Sequence, residues 1–227
     1  PADLAARVKL LWHLADVALQ NADTRIAENV MLHAQSLAEA YAAQSPDDVA
    51  RLLQQAEIES WLGYIQGELG RPAAQVLDRF RAAIVSYRAI VELQPDDPEA
   101  RNALASAVNN HGAALSNLGR WQEALPVLRE AVQLRRDAAA VAPNSVLAKF
   151  TAELAATLGW LSSAEEAMFD LSAAVAARKE AVALLRDLVQ RHPDNRIFQA
   201  DLAVALRFEA GLHEMEGQPG LALSLIH

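Results

Sequence analysis

The chain has 227 residues, among them 48 alanines and 33 leucines but only nine glycines, nine prolines and 5% aromatics, which is the composition of a helical protein. No run approaches the roughly 18 apolar residues that cross a bilayer, no charged-then-apolar leader opens the chain, and the absence of cysteine removes disulfides, thiolate metal sites and cysteine nucleophiles. A net charge of −9 leaves little affinity for phosphate backbones, so neither nucleic acid nor membrane is an expected partner.

Taken along the chain, the prolines mark a period. Ser45-Pro46-Asp47-Asp48, Gln94-Pro95-Asp96-Asp97, Ala142-Pro143-Asn144 and His192-Pro193-Asp194-Asn195 recur at intervals of 49, 48 and 50 residues. Each reads as a helix stop followed by an Asp or Asn whose side chain can cap the next helix. Midway between them, Gly70-Arg71-Pro72, Gly119-Arg120-Trp121 and Gly217-Gln218-Pro219 place a C-capping glycine, with a helix-starting proline in two cases. The hairpin 143–192 has Phe169-Asp170 there, a poorer turn signal. Each unit therefore predicts two helices of about 20 residues, near 30 Å long. The predicted hairpins are 1–45, 46–94, 95–142, 143–192 and an incomplete 193–227, forming a single helical-repeat domain over 1–227.

In the third hairpin Leu104, Val108, His111, Leu115 and Leu118 recur at helical spacing on the first helix, and Trp121, Leu125, Leu128 and Val132 on the second. Small residues Gly63, Gly112, Ser162 and Ala210 recur on first helices, and Ala83, Ala131 and Ala181 on second helices. These are places where helix backbones approach closely. Hairpins of this kind cannot bury both apolar faces alone, and stacking neighbours does so, which makes an all-α solenoid of antiparallel hairpins the economical reading.

The string Gly112-x-x-Leu115-x-x-x-Gly119-x-x-x-x-Ala124-x-x-x-Leu128-x-x-Ala131 resembles the core of a tetratricopeptide repeat (TPR). The last unit repeats it as Ala210, His213, Gly217, Ala222 and Ile226, and the second offers Gly63, Gly70, Phe80 and Ala83 with one residue inserted. Two departures stand out: the period is 48 to 50 residues rather than 34, and Val108 and Leu115 replace the usual tryptophan and tyrosine. The sequence is similar to long-helix bacterial variants and to kinesin-light-chain repeats. The resemblance implies a right-handed α-solenoid whose first helices line a concave groove that holds a peptide.

On the face opposite the packing stripe, the first helices carry Glu57, Ser60, Tyr64 and Glu68, then Ser106, Asn109, Ala113 and Asn117, then Ala156, Ser163 and Glu166, then Val204, Arg207 and Glu214. That surface is polar and net acidic. The basic positions of a chaperone-tail clamp hold Ser60, Tyr64, Ala156 and Trp160, so a carboxylate clamp is rejected, and a basic or neutral peptide is the expected partner. Asn109 and Asn110 resemble the paired asparagines by which kinesin-light-chain repeats hold a peptide backbone. An amide supplies both donor and acceptor, although solvation alone would also explain them. The candidate peptide-binding residues are Tyr64, Asn109, Asn110, Asn117 and Arg207. One further position is aromatic in four units of five, Trp12, Trp61, Trp160 and Phe208, with Asn110 the exception. It reads either as a packing ladder between hairpins or as a line of contacts on the groove edge.

Chemistry is sparse. No phosphate-loop, dinucleotide or HExxH motif occurs, the adjacent Glu165 and Glu166 diverge on a helix, and Glu209 with His213 is a lone pair. The expectation is a non-enzymatic interaction module with no cofactor and no metal. The alternatives are a self-associating scaffold, pairing through Leu212 and the apolar 221–226 segment as a homodimer, or the regulatory arm of a larger signalling protein. Pro1 in place of an initiator methionine, and an end at Leu225-Ile226-His227 inside an apolar pattern, are read as signs of an excerpt. Seventeen arginines against three lysines suit a GC-rich, bacterial coding bias, and the lack of cysteine suits the cytoplasm.

Overall fold

The computed structural model describes residues 2–42, 48–215 and 217, and all regular secondary structure among them is helical. The helices are α1 (Ala2–Gln20), α2 (Thr24–Ala42), α3 (Val49–Glu68), α4 (Ala73–Leu93), α5 (Pro98–Asn117), α6 (Trp121–Val141), α7 (Asn144–Ala167), α8 (Leu171–Arg191) and α9 (Arg196–Met215). They fall into two compact units, 1–114 and 115–227. In the first, α1 packs on α2, α2 on α3 and α3 on α4; in the second, α6 packs on α7, α7 on α8 and α8 on α9. Short turns force each helix to run back along its predecessor. Residues 45–47 of the first proline boundary, Pro219, and the apolar 221–226 segment lie outside the described residues.

One turn recurs. Ala22, Gly70, Gly119, Phe169 and Gly217 all take positive φ, between 59° and 74°. At the first four, the residue after it donates its backbone N–H five residues back: Asp23 to Ala18, Arg71 to Gln66, Arg120 to Leu115 and Asp170 to Glu165, at 2.8–2.9 Å. This is the Schellman closure of a helix C-terminus. Ala22 and Phe169 adopt it without glycine's freedom, and Phe169 stands 92% exposed. The Phe169-Asp170 turn is thus the same device as its glycine counterparts, and Asp170 goes on to cap α8 by accepting from the Ala173 N–H at 3.1 Å.

At the proline boundaries, Asp48 accepts from Ala50 N–H at 2.9 Å, Asp97 from Glu99 N–H at 2.9 Å, and Asn195 from Ile197 N–H at 3.0 Å. The Ala142-Pro143-Asn144 boundary departs from the expectation. There α7 starts directly after Pro143, which occupies the cap position with no side-chain bond, so Asn144 is already helical and caps nothing.

The close approaches fall where small residues recur. Gly63, Gly112, Ser162 and Ala210 are buried, as are Ala83, Ala131 and Ala181. A Cβ on Gly63 would come 2.8 Å from Phe80 Cε1. Leu104, Val108 and Leu115 are buried on α5 as the spacing requires, but Leu118, expected on the same stripe, is exposed at the helix end. In the first unit, Val8, Ala15, Ala27, Met31, Ala34, Ile58, Leu62 and Ile65 form one apolar core. Leu212, read from the sequence as part of an open interface, is instead buried against Ala174 and Val175 of α8.

Ion pairs tie neighbouring elements together. Arg79 of α4 reaches Glu59 at 3.0 Å and the Gln35 amide oxygen at 3.2 Å, while Arg71 meets Glu28. In the second unit, Arg135 bridges Glu153 at 2.7 Å and Thr157 at 2.8 Å, Arg136 bridges Glu180 at 2.7 Å, and Arg129 reaches Glu165 at 3.3 Å. Pro126 sits inside α6.

Candidate functional site

The face that the sequence assigns to ligand is open. Glu57, Tyr64 and Glu68 on α3, Asn117 on α5, Ala156 on α7, and Val204, Arg207 and Glu214 on α9 are exposed, and Ser60, Ser106, Asn109, Ala113, Ser163 and Glu166 are half-buried. None is in a core, whereas positions one or two residues away on each helix are.

Within the first unit, the aromatic position is a ladder. Trp12 of α1 and Trp61 of α3 meet edge to face with ring centroids 5.6 Å apart, and Tyr64, one turn on, stacks its edge on Trp61 at 6.1 Å. Tyr64 therefore continues the ladder toward solvent. On α5, Asn110 is exposed and Asn109 half-buried. The Asn109 side-chain N–H lies 3.5 Å from the Asn110 amide oxygen, and the Asn109 amide oxygen is shielded from solvent without a hydrogen-bond partner. Asn117 closes α5 and belongs to the second unit by its contacts.

In the second unit the same position does something else. Trp160 of α7 and Phe208 of α9 line a pocket of about 400 Å³, together with Ala152, Ala156, Gly159 and Ser163 of α7, Asp201, Val204 and Ala205 of α9, and Arg178 and Leu185 of α8. Arg178 is 6% exposed. It donates from Nη2 to the Gly159 carbonyl at 3.1 Å, and its guanidinium lies 5.0 Å from the centre of the Phe208 ring, within cation–π range. Gly159 makes this possible, since a Cβ there would come 3.1 Å from Arg178 Nη1. Burial pulls the Arg178 pKa below the ordinary arginine value, and the Glu166 and Glu209 carboxylates push it back up. Arg178 Nε remains buried with no acceptor, and so does one carboxylate oxygen of Glu209 without a donor. Arg207, the candidate on α9, is exposed and places its own guanidinium 5.4 Å from the same Phe208 ring.

The sequence pointed to Trp160, Phe208 and Arg207 but not to Arg178, which reads there as one more charged residue of an amphipathic second helix. Glycine in the middle of α7, beside Trp160, was the available signal. Among the described residues no group of three or more His, Asp or Glu side chains could hold a metal ion, and no helix is long and apolar enough to cross a membrane.

No family model matches the chain, and no curated protein matches it in sequence. Solved structures do match in fold. BtubC (BKLC) from P. vanneervenii aligns with 18% identity over 100% of this chain and 79% of its own, at a TM-score of 0.68. A Podosopora anserina putative kinesin light chain with nearly identical TPR-like repeats aligns with 17% identity over 98% of this chain and 92% of its own, at 0.61. The apo form of RapI aligns with 13% identity over 97% and 81%, at 0.57. The fold is that of the TPR-like α-solenoids, built from stacked helix hairpins.

Proposed function

We propose that the chain is a non-enzymatic protein-interaction module that holds a peptide segment of a partner, or of a neighbouring domain, in a concave groove lined by its first helices. The observation that carries this reading is that small and polar residues stay open along one face of α3 and α5, and again of α7, while most other positions of these helices are taken up by packing. A rigid groove of this kind lowers the ordering cost of binding. The TPR-like fold agrees with it. Tyr64, Asn109 and Asn110 are the proposed contacts in the first unit, and Asn117 and Arg207 in the second. The −9 charge and the Glu57, Glu68, Glu166 and Glu214 carboxylates on this face favour a basic or neutral segment over an acidic one.

The test is selection of peptides from a random phage-displayed library on the full chain, followed by calorimetric titration. Peptides should be neutral or basic, and Asn109→Ala/Asn110→Ala should weaken them about tenfold, the worth of one or two hydrogen bonds, with an unchanged Tm. Unaltered affinity would remove the asparagines from the site.

Self-association is the second reading, and an observation favouring it lies on α1. Leu10, Leu14 and Val17 are exposed at spacings of four and three residues, an apolar stripe on one helix face. Light scattering after size exclusion separates the readings, since a monomer at tens of micromolar rules out strong pairing.

A further inference from the structure

The pocket between α7 and α9 has features that a passive gap between hairpins would lack. In the first unit, Trp12 and Trp61 fill the corresponding space with each other. In the second, Trp160 and Phe208 stand as walls, 36% and 45% exposed, and the space between them is lined with alanines and Gly159. At about 400 Å³ it lies near the small end of the roughly 300–1,000 Å³ typical of ligand pockets. It has room for one large side chain and its main chain, and not for a folded surface.

The charges around it narrow the ligand further. Arg178 forms part of the wall, nine-tenths buried, and a guanidinium carries five N–H donors and no acceptor. One donor is used on Gly159, and Nε is sealed from solvent, so the donors left for a ligand are those of the two terminal nitrogens. What completes the site is therefore an acceptor. A carboxylate is a poor candidate, because Asp201 lines the same pocket and the Glu166 and Glu209 charges already act on the guanidinium. A cationic side chain would meet the buried charge of Arg178. A neutral carbonyl oxygen meets neither objection.

We propose that this pocket seats one large neutral side chain, aliphatic or aromatic, of a bound peptide, and that Arg178 donates a hydrogen bond to a main-chain carbonyl oxygen beside that side chain. The assignment rests on the groove reading above and adds to it an anchor and its chemistry.

N-acetyl-L-leucinamide and N-acetyl-L-phenylalaninamide are the probes, titrated into the full chain and followed by amide NMR, with N-acetyl-L-leucine as the carboxylate control. The capped amides should bind saturably in the millimolar range and shift the Gly159 and Phe208 signals, and the free acid should bind at least tenfold more weakly. Ala156→Trp, at an exposed position on the pocket wall, should abolish the shifts with the fold intact. Arg178→Met should weaken the amides at least tenfold but leave toluene, which has no acceptor, still able to enter. Free acid binding as tightly as the amides, or amide binding unchanged in Ala156→Trp, overturns the proposal, and so does the absence of any saturable shift. Library-selected peptides that bind Ala156→Trp as well as the parent chain, yet are lost on Asn109→Ala/Asn110→Ala, overturn the pocket and leave the groove reading standing.

Discussion

Trp12 and Trp61 meet edge to face, their ring planes at 88° and their centroids 5.6 Å apart, and so join α1 to α3. Edge-to-face aromatic pairs contribute about 0.5–1.5 kcal/mol beyond the area they bury. A double-mutant cycle through Trp12→Ala and Trp61→Ala should return a coupling of that size by urea denaturation. Trp160→Ala, whose ring stands at a pocket edge, should cost well under half of what Trp61→Ala costs. Equal losses would mean that the two positions are alike after all.

Phe169 holds φ at 62° in a turn where three of its four counterparts are glycine. A residue with a Cβ pays roughly 1–2 kcal/mol in this region, and the exposed ring returns little through packing. Phe169→Gly should raise the urea midpoint by the equivalent of about 1 kcal/mol at constant m value, and Gly119→Ala, at φ 70°, should lower it by a similar amount. A destabilised Phe169→Gly would show that the ring is held by contacts worth more than the strain.

Gly63 leaves Phe80 no slack. Gly63→Ala should cost about 1–3 kcal/mol, as overpacking does in tight cores, because the new Cβ would come 2.8 Å from the ring. Phe80→Leu in the same chain should recover part of the loss. Additive losses in the double variant would refute the contact.

Glu165 gives the stability a pH dependence. Burial raises its carboxyl above the ordinary value of 4.5, with Arg129 pulling it down and Asp170 adding to the rise. A carboxyl whose folded pKa exceeds its unfolded one stabilises the fold fully below the unfolded value, and that contribution is lost as pH rises through the folded value. Relative to Glu165→Gln, the parent chain should therefore lose stability from about pH 4.5 upward and level off once the folded carboxyl is ionised. Parallel stability curves for the two proteins would exclude the effect.

The period was legible because proline, glycine and capping Asp or Asn act through backbone rules that need no tertiary context. The close approaches at Gly63, Ser162, Ala83 and Ala181 were legible for a related reason, since small residues at a fixed interval have few other uses. The turn at Ala22 was not, and Phe169-Asp170 gave only a poor turn signal. Nothing in those side chains asks for positive φ; the helices on either side impose it. Asn144 misled because its boundary is two residues shorter than those at Pro95 and Pro193, which carried it inside the helix. The aromatic position could be read as ladder or groove contact, and it is a ladder in one unit and a pocket wall in the other. What decides between them is Arg178, and its burial depends on Gly159, 19 residues away on another helix.

The ties across the helices rest on Arg71, Arg79, Arg129, Arg135 and Arg136, and none of them uses Lys9, Lys149 or Lys179. The arginine excess thus has a mechanical role, since a planar fork can hold a carboxylate and an amide or hydroxyl of neighbouring helices at once. Amine acylation would find three lysines and leave these helix pairs untouched, whereas a dicarbonyl reagent aimed at guanidinium groups would attack the joints of the array themselves.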